Sequence, residues 1–284
     1  MPRIAVISDI HGNVAALDAV LDDLRDAAPD EVLVGGDLVG RGPEGRAVVR
    51  AIASSGWRGV RGNHEDYLLN FVRRSVPEDW LEIDEWAASR WMAAELGADD
   101  IDYIDALPMA LSAQSDPRLV LTHGTPRANN EGIGPWTHDD DLERHVSELP
   151  GRVFVCGHTH RAMVRPSGGT LVVNAGSVGL PFDGDRRAAY ALIDIDGDAV
   201  SAQIRRVDYP VGNTLAAYNR TGFLAAGGAT SQMLSLELEY ARPHLVPFIT
   251  WCAQHDYRAV PEHIGAFLAV WHARIGLDPA AGRD

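Results

Sequence analysis

Five short polar clusters in this chain of 284 residues carry donor types that hold metal ions: Asp9-x-His11, Asp37, Asn63-His64, His123 and His158-x-His160. Carboxylate, imidazole and amide oxygen together suit first-row divalent ions such as manganese, iron, zinc, cobalt or nickel. Singly, each cluster says little, because a lone histidine is ordinarily a surface residue or a satisfied core one. The setting repeats, however. Each cluster stands beside glycine and just past an apolar run, where a D-x-H or H-x-H pair can turn both side chains into one crevice once the chain leaves regular pleating. His138, His145, His244, His255, His263 and His272 lack that setting and read as ordinary histidines. Asp37 closes the stretch Val32-Leu33-Val34-Gly35-Gly36-Asp37, a buried strand ending in two glycines and a carboxylate. Such a carboxylate points into the crevice at the carboxyl ends of the strands, where open α/β sheets bind ligands. The glycines let other groups approach the backbone. Asp37 is expected to bridge two metal ions, with other strand ends delivering the remaining ligands.

The hydrophobic pattern supplies elements that would place these groups. Residues 3–8 read as a strand and 14–27 as a helix, with Val14, Leu17, Leu21 and Leu24 on one face and Pro29 at its end. The strand at 32–34 completes a βαβ unit, so the first two strands are expected to be parallel neighbours and to bring Asp9 and Asp37 to one edge. A helix at 44–54 and a short strand at 57–61 lead into Gly62-Asn63-His64-Glu65. Residues 66–106 read as mostly helical. Strands are expected at 119–122, 152–156 and 171–173, with a glycine-rich loop over 125–137. Residues 174–177 read as a strand-ending turn. Asp196-Gly197 joins a hairpin of 188–195 and 199–207, and the acidic residues around it lack calcium-loop spacing. After 211 the apolar residues fall at helical spacing, as in Leu245, Phe248, Ile249 and Cys252, and again in Ile264, Phe267, Leu268 and Trp271. The chain therefore divides into a domain over 1–210 and a helical extension over 211–284 packed upon it. A dimer interface, which would make a homo-oligomer, or a substrate lid is the sharper alternative for the extension.

Composition narrows the function classes. The net charge of −15 argues against non-specific nucleic-acid binding through a basic face, although bound cations could reverse the local field for a nucleotide substrate. No apolar run reaches about 18 residues, so no membrane span is expected. The start lacks the layout of a signal peptide, and the expected location is the cytoplasm. Cys156 and Cys252 form no C-x-x-C pair and read as small buried residues. Residues 78–105 hold ten acidic side chains against the single Arg90, a run that reads as a solvated face rather than a docking site.

ISDIHGN, GGDLVGRGP, RGNHE, THGTP and CGHTH, in that order, resemble the calcineurin-like metallophosphoesterases over residues 1–208. The later NAGSVGLPFDGDRRAAYALID resembles the end of their bacterial and archaeal phosphodiesterase-like branch. The resemblance implies an α/β fold, a four-layer α/β/β/α sandwich of two mixed sheets, around a dinuclear metal site. It implies Asp9, His11, Asp37 and His160 on one metal, Asp37, Asn63, His123 and His158 on the other, and His64 as a catalytic histidine that binds neither. Two such ions clamp the attacking and leaving oxygens of an in-line displacement at phosphorus and activate the attacking water. His64 as imidazolium would stabilise the phosphoryl oxygens and protonate the leaving group. Arg41 and Arg127 are candidates for gripping phosphate. In the protein-phosphatase branch an aspartate precedes the arginine matched by Arg41 and orients the histidine. Here Gly40 stands there, which weakens the phosphoprotein-phosphatase and diadenosine-tetraphosphatase readings and leaves His64 to be oriented by something else.

These features point to a metal-dependent phosphodiesterase acting on small phosphate esters, nucleotides among them, with manganese the ion expected to serve in vitro. A phosphomonoesterase or nucleotide pyrophosphatase would use the same ligands. A non-catalytic interaction module on the same fold is the reading from a different class, and the presence of His64 with every expected ligand weighs against it.

Overall fold

The computed structural model describes residues 1–149 and 151–277. Ten strands lie among them. The first five are β1 (Arg3–Ile7), β2 (Glu31–Val34), β3 (Arg58–Gly59), β4 (Ala110–Ser112) and β5 (Leu119–Thr122). The others are β6 (Val153–Cys156), β7 (Met163–Ser167), β8 (Thr170–Asn174), β9 (Ala188–Asp196) and β10 (Ala199–Val207). They form two five-stranded sheets, in the orders β10-β9-β1-β2-β3 and β4-β5-β6-β8-β7. β1, β2 and β3 run parallel, and so do β5, β6 and β8, while β9, β10, β4 and β7 pair antiparallel. Both sheets are therefore mixed.

Alternation along the strands decides the layers. Ile4 and Val6 of β1 enter one core cluster with Leu33, Leu121, Val153, Val155 and Val173, which is the space between the sheets. Ala5 and Ile7 point the other way, toward Leu17, Val20, Val49 and Leu69. Those residues belong to α1 (Val14–Ala27), α2 (Gly45–Ser55) and α3 (Asn63–Val72). β6 splits likewise: Phe154 and Cys156 face outward onto Leu142 and Val146. A period of two with both faces apolar is the pattern of a strand covered on both sides. The result is the expected α/β/β/α sandwich.

Local detail refines several expectations. Residues 66–106 are mostly helical, as expected, but in short pieces. After α3 come two 3-10 turns, Glu78–Leu81 and Asp84–Trp86, then α4 (Ala87–Ala94) and α5 (Ala98–Asp105). Trp80 and Trp86 stack with ring centroids 3.9 Å apart and hold the turns together. The acidic run is only partly a solvated face: Asp100 pairs Arg46 and Arg50, and Asp105 pairs Arg61 and Arg73. β4 is too short to carry a pattern, and β7 contains Pro166, which only an edge strand tolerates. α6 (Asp139–Val146) buries only Leu142 and Val146, an i,i+4 pair hidden among charges.

The C-terminal residues are helical, as expected: α7 (Val211–Arg220), α8 (Phe223–Ala226), α9 (Gly228–Tyr240), α10 (Leu245–Gln254) and α11 (Ile264–Ile275). Tyr218, Phe223, Leu234 and Leu238 share the outer core of the first sheet with α1, α2 and α3. Met233, Phe248, Cys252 and Phe267 make a separate core among the last helices. Glu85 fastens this layer to the acidic stretch by accepting from the Ala259 N–H at 2.9 Å, while its carbonyl accepts from the Thr230 hydroxyl. Both cysteines are buried and free. Among the described residues no helix is long and apolar enough to cross a membrane.

Candidate metal centre

The parallel strands of each sheet end at a common edge, and all five clusters stand on the turns that follow β1, β2, β3, β5 and β6. Backbone hydrogen bonds knit these turns together: Asp9 N–H to Gly36 O at 3.0 Å, His11 N–H to Asp37 O at 2.9 Å, and Gly157 N–H to His123 O at 2.8 Å. The turns are conformationally unusual. Six of the ten described non-glycine residues with left-handed backbone are Asp9, His11, Asp37, Arg41, His158 and His160. Asp and His tolerate this region better than most residues. Strain concentrated so heavily in one place is typical of functional sites. It is also how alternate residues of D-x-H and H-x-H come to face one crevice. Gly157 is needed for lack of space: a Cβ there would sit 2.2 Å from Ser8 Oγ and 2.3 Å from Asp9 Oδ2.

The side chains converge. One donor atom each from Asp9, His11, Asp37 and His160 lies within 4.8 Å of the other three, and all four residues are buried. His11 Nε2 is 3.0 Å from His160 Nε2, which is 3.2 Å from Asp9 Oδ1. A second group adjoins it, with His123 Nε2 3.1 Å from Asn63 Oδ1 and His158 Nδ1 2.8 Å from the same oxygen. Asp37 Oδ2 joins the two, at 3.5 Å from His11 Nε2 and 3.3 Å from His123 Nε2. Three imidazoles are oriented from behind. Nδ1 of His11, His123 and His160 meets the carbonyls of Val39, Gly35 and Leu180 at 3.1, 2.7 and 2.5 Å. A ring that spends Nδ1–H on a carbonyl presents a bare Nε2 to the site, the usual back-side arrangement of metal-binding histidines.

Electrostatics favour a cation here. Burial opposes the ionised form of Asp37, yet His123 beside it holds that carboxyl well below the ordinary range. Burial likewise pulls His123 down, but the charge of Asp37, its hydrogen bond and Asp9 prevail and raise the ring to about 10. The proton that His123 keeps stands where a metal ion would replace it. Burial lowers His11 well below normal and His158 to about 4, leaving both neutral and able to coordinate. The donor set and its charge thus fit divalent ions.

His64 stands apart from the donors. Its backbone N–H donates to Asp37 Oδ1 at 2.9 Å, and its Nε2 accepts from Arg41 Nε at 3.2 Å. Burial, with the Arg41 guanidinium adding to it, lowers the ring to about 3, so His64 is a neutral acceptor here rather than the imidazolium of the sequence-based expectation. Arg41 lies at the site. Arg127 does not join it: its side chain is 71% exposed and pairs Glu131 at 3.0 Å. Its loop does border the site, since a Cβ on Gly132 would touch the His158 ring.

Residues 2–198 match the family described as the calcineurin-like phosphoesterase superfamily domain. The chain belongs to this superfamily. A crystal structure of a metallophosphoesterase from Sphaerobacter thermophilus is 28% identical, with a TM-score of 0.64, covering 79% of this chain and 99% of that one. An uncharacterised protein of Methanocaldococcus jannaschii is 28% identical over 224 residues, 73% of this chain and 88% of its own length. A symmetrical bis(5'-nucleosyl)-tetraphosphatase of Paracidovorax citrulli is 33% identical over 160 residues, about half of each chain.

Three residues that support this phosphoesterase site escaped the sequence reading. Glu65 is fully buried and accepts from the backbone N–H groups of Gly62, Asp37, Leu38 and Val39 at 2.7, 2.9, 2.7 and 3.3 Å. It clamps the turn carrying Asp37 to the start of α3, which carries Asn63 and His64. Burial and then the charge of Asp37 push its carboxyl up to about 7. Asn174 donates to the carbonyls of Ile133 and Gly157, and Ser177 donates to the carbonyl of Asp9. The turn at 174–177 is thus a brace for the turns that carry Asp9 and His158. For Glu65 a signal existed, a carboxylate three residues past Gly62 at a helix start. Asn174 and Ser177 carried none that separates them from ordinary turn residues. Glu65→Ala would leave several buried donors unpaired, at about 1–3 kcal/mol each. A loss of at least about 3 kcal/mol, or a fall in Tm of roughly 10 °C, is expected by calorimetry. A Tm within about 2 °C of wild type would remove Glu65 from this role.

Proposed function

We propose that the chain is a dinuclear-metal-dependent phosphodiesterase acting on small phosphate esters, nucleotides among them. The observation that carries this reading is the position of Asp37 Oδ2 between two donor groups built from separate strand ends. In this reading Asp9, His11, Asp37 and His160 hold one ion, and Asp37, Asn63, His123 and His158 hold the other. When bound, the ions would activate a water near neutral pH and offset charge on the phosphoryl oxygens. Arg41 offers a guanidinium to the same oxygens. His64 serves the leaving oxygen. Arg127 remains a candidate phosphate contact only if it leaves Glu131. Residues 1–210 form the unit that carries the ligands, and the helices beyond 211 extend it.

A nucleotide pyrophosphatase is the second reading, favoured by the relatives named as symmetrical tetraphosphatases. The test is hydrolysis of an aryl phosphodiester, the matching aryl monoester and diadenosine tetraphosphate by metal-stripped protein, with and without manganese. Manganese-dependent diester cleavage is expected. Preference for the monoester or the tetraphosphate would replace the diesterase reading, and no turnover despite two bound metals would favour an interaction module.

A further inference from the structure

Gly40 leaves His64 without the carboxylate that the protein-phosphatase branch places at this position, and the structure shows why none can stand here with the ring where it is. Gly40 is left-handed, with φ +78, and a Cβ built on it would lie 2.3 Å from His64 Nδ1 and 2.7 Å from Cγ. The histidine ring occupies the space that a side chain would need. Support comes instead from Arg41, and Arg41 is in turn held by the C-terminal helices.

Two residues of those helices grip it. Glu237 of α9, fully buried, accepts from Arg41 Nη1 through Oε2 at 2.9 Å. Its other oxygen accepts from the backbone N–H groups of His244 and Leu245 at 2.8 and 2.9 Å, at the start of α10. The Tyr218 hydroxyl donates to the Arg41 carbonyl at 2.7 Å. Arg41 itself is left-handed, with φ +61, and its guanidinium lies 5.7 Å from the centroid of Phe182, whose ring stacks on His160. Arg41 is otherwise a long, flexible side chain able to point many ways. A buried carboxylate facing one nitrogen restricts it to the rotamer that presents Nε to His64.

We propose that Glu237, with Tyr218, is a positioning residue for catalysis: it fixes Arg41, and through Arg41 the ring of His64. The carboxylate missing from position 40 is thereby supplied from the other side of the ring, 196 residues after Arg41. The helices beyond 211 are on this account part of the active-site scaffold. The inference rests on the phosphoesterase reading of the site for its kinetic consequence, and on geometry alone for its structural one.

Glu237→Gln separates this role from simple packing. Its amide oxygen still accepts from the His244 and Leu245 N–H groups, while the charge facing Arg41 is gone. Wild type, Glu237→Gln, Arg41→Ala and the double variant are compared as full-length, manganese-loaded protein on the aryl phosphodiester. Glu237→Gln is expected to lower kcat about 10- to 100-fold, with a smaller change in KM, unchanged bound manganese and a Tm close to wild type. The double variant is expected to be no slower than Arg41→Ala. Wild-type kcat in Glu237→Gln, or losses that add in full in the double variant, would overturn the proposal. Should Glu237→Gln not fold, Tyr218→Phe takes its place, and its kcat must fall in the wild-type background and not in Arg41→Ala. The metal-free protein gives a readout independent of turnover. The His64 ring signals in the NMR spectrum, assigned by their loss in His64→Ala, are expected to shift in Glu237→Gln. Unshifted signals would overturn the positioning role whether or not the protein cleaves the ester, whereas shifted signals with an inactive wild type would refute only the enzymatic reading.

Discussion

His64→Ala is expected to bind metal as wild type does and to lose about 10²- to 10⁴-fold in kcat, the usual contribution of a general acid or base. The two halves of this expectation have separate origins. Metal should be retained because the ring contributes no donor to either group: its Nε2 accepts from Arg41, and its backbone N–H donates to Asp37 Oδ1. Alanine keeps that N–H. Turnover falls because the ring stands edge-on to His11, with centroids 5.0 Å apart, and is an imidazole beside the donors that belongs to neither group. Metal content by elemental analysis and kcat on the aryl diester decide both points. Turnover equal to wild type would remove His64 from the chemistry, and loss of metal would make it a ligand or a structural support of one.

Asp37→Asn is expected to empty both metal positions together. Its Oδ2 lies within 3.5 Å of one imidazole from each group, which is why its loss is expected to reach both. Asparagine keeps an oxygen but not the charge, and it places an amide N–H₂ where a second acceptor was. Weakening of metal affinity by more than about 100-fold is expected, beyond what outer-shell changes cause. Bound manganese, followed by calorimetric titration of the stripped protein, should then fall from about two ions to less than one per chain. Loss of one ion with full retention of the other would show that Asp37 serves a single site.

Much of this centre was legible in the sequence because its donors sit where strand periodicity ends. The apolar runs before Asp9, Asp37, His123 and His158 set both the strand faces and the edge at which the chain turns. The spacing in D-x-H and H-x-H then needed only a departure from pleating, which the left-handed backbone at positions 9, 11, 158 and 160 provides. What stayed illegible depends on contacts between segments far apart. Glu237 belongs to a helix with no motif, and nothing in its neighbourhood points to Arg41. Asn174 and Ser177 look like any turn. Arg127 looked suited to phosphate by its place after THGTP, but Glu131 four residues on captures it, a local pairing that the sequence contained. β7 and α6 were obscured by a proline and by charge, since each is recognisable only from the layer it covers.

The strand order has a consequence for synthesis. β1 leaves the ribosome before both of its neighbours and lies in the middle of its sheet, between β2 and β9. Arg3 meets Asp194, 191 residues later, and the carbonyls of Ser8 and Asp9 wait for the N–H groups of Val178 and Gly179. At about 5–20 residues per second, roughly ten to forty seconds pass before those partners exist. During that interval a β1–β2–β3 unit would offer β1 as a bare apolar edge, the kind of surface to which other chains add strands. The last-made hairpin, β9–β10, is what ends this exposure. Conditions that slow its arrival should raise the fraction of newborn chains lost to aggregation, even though every residue of the candidate metal centre has by then been made.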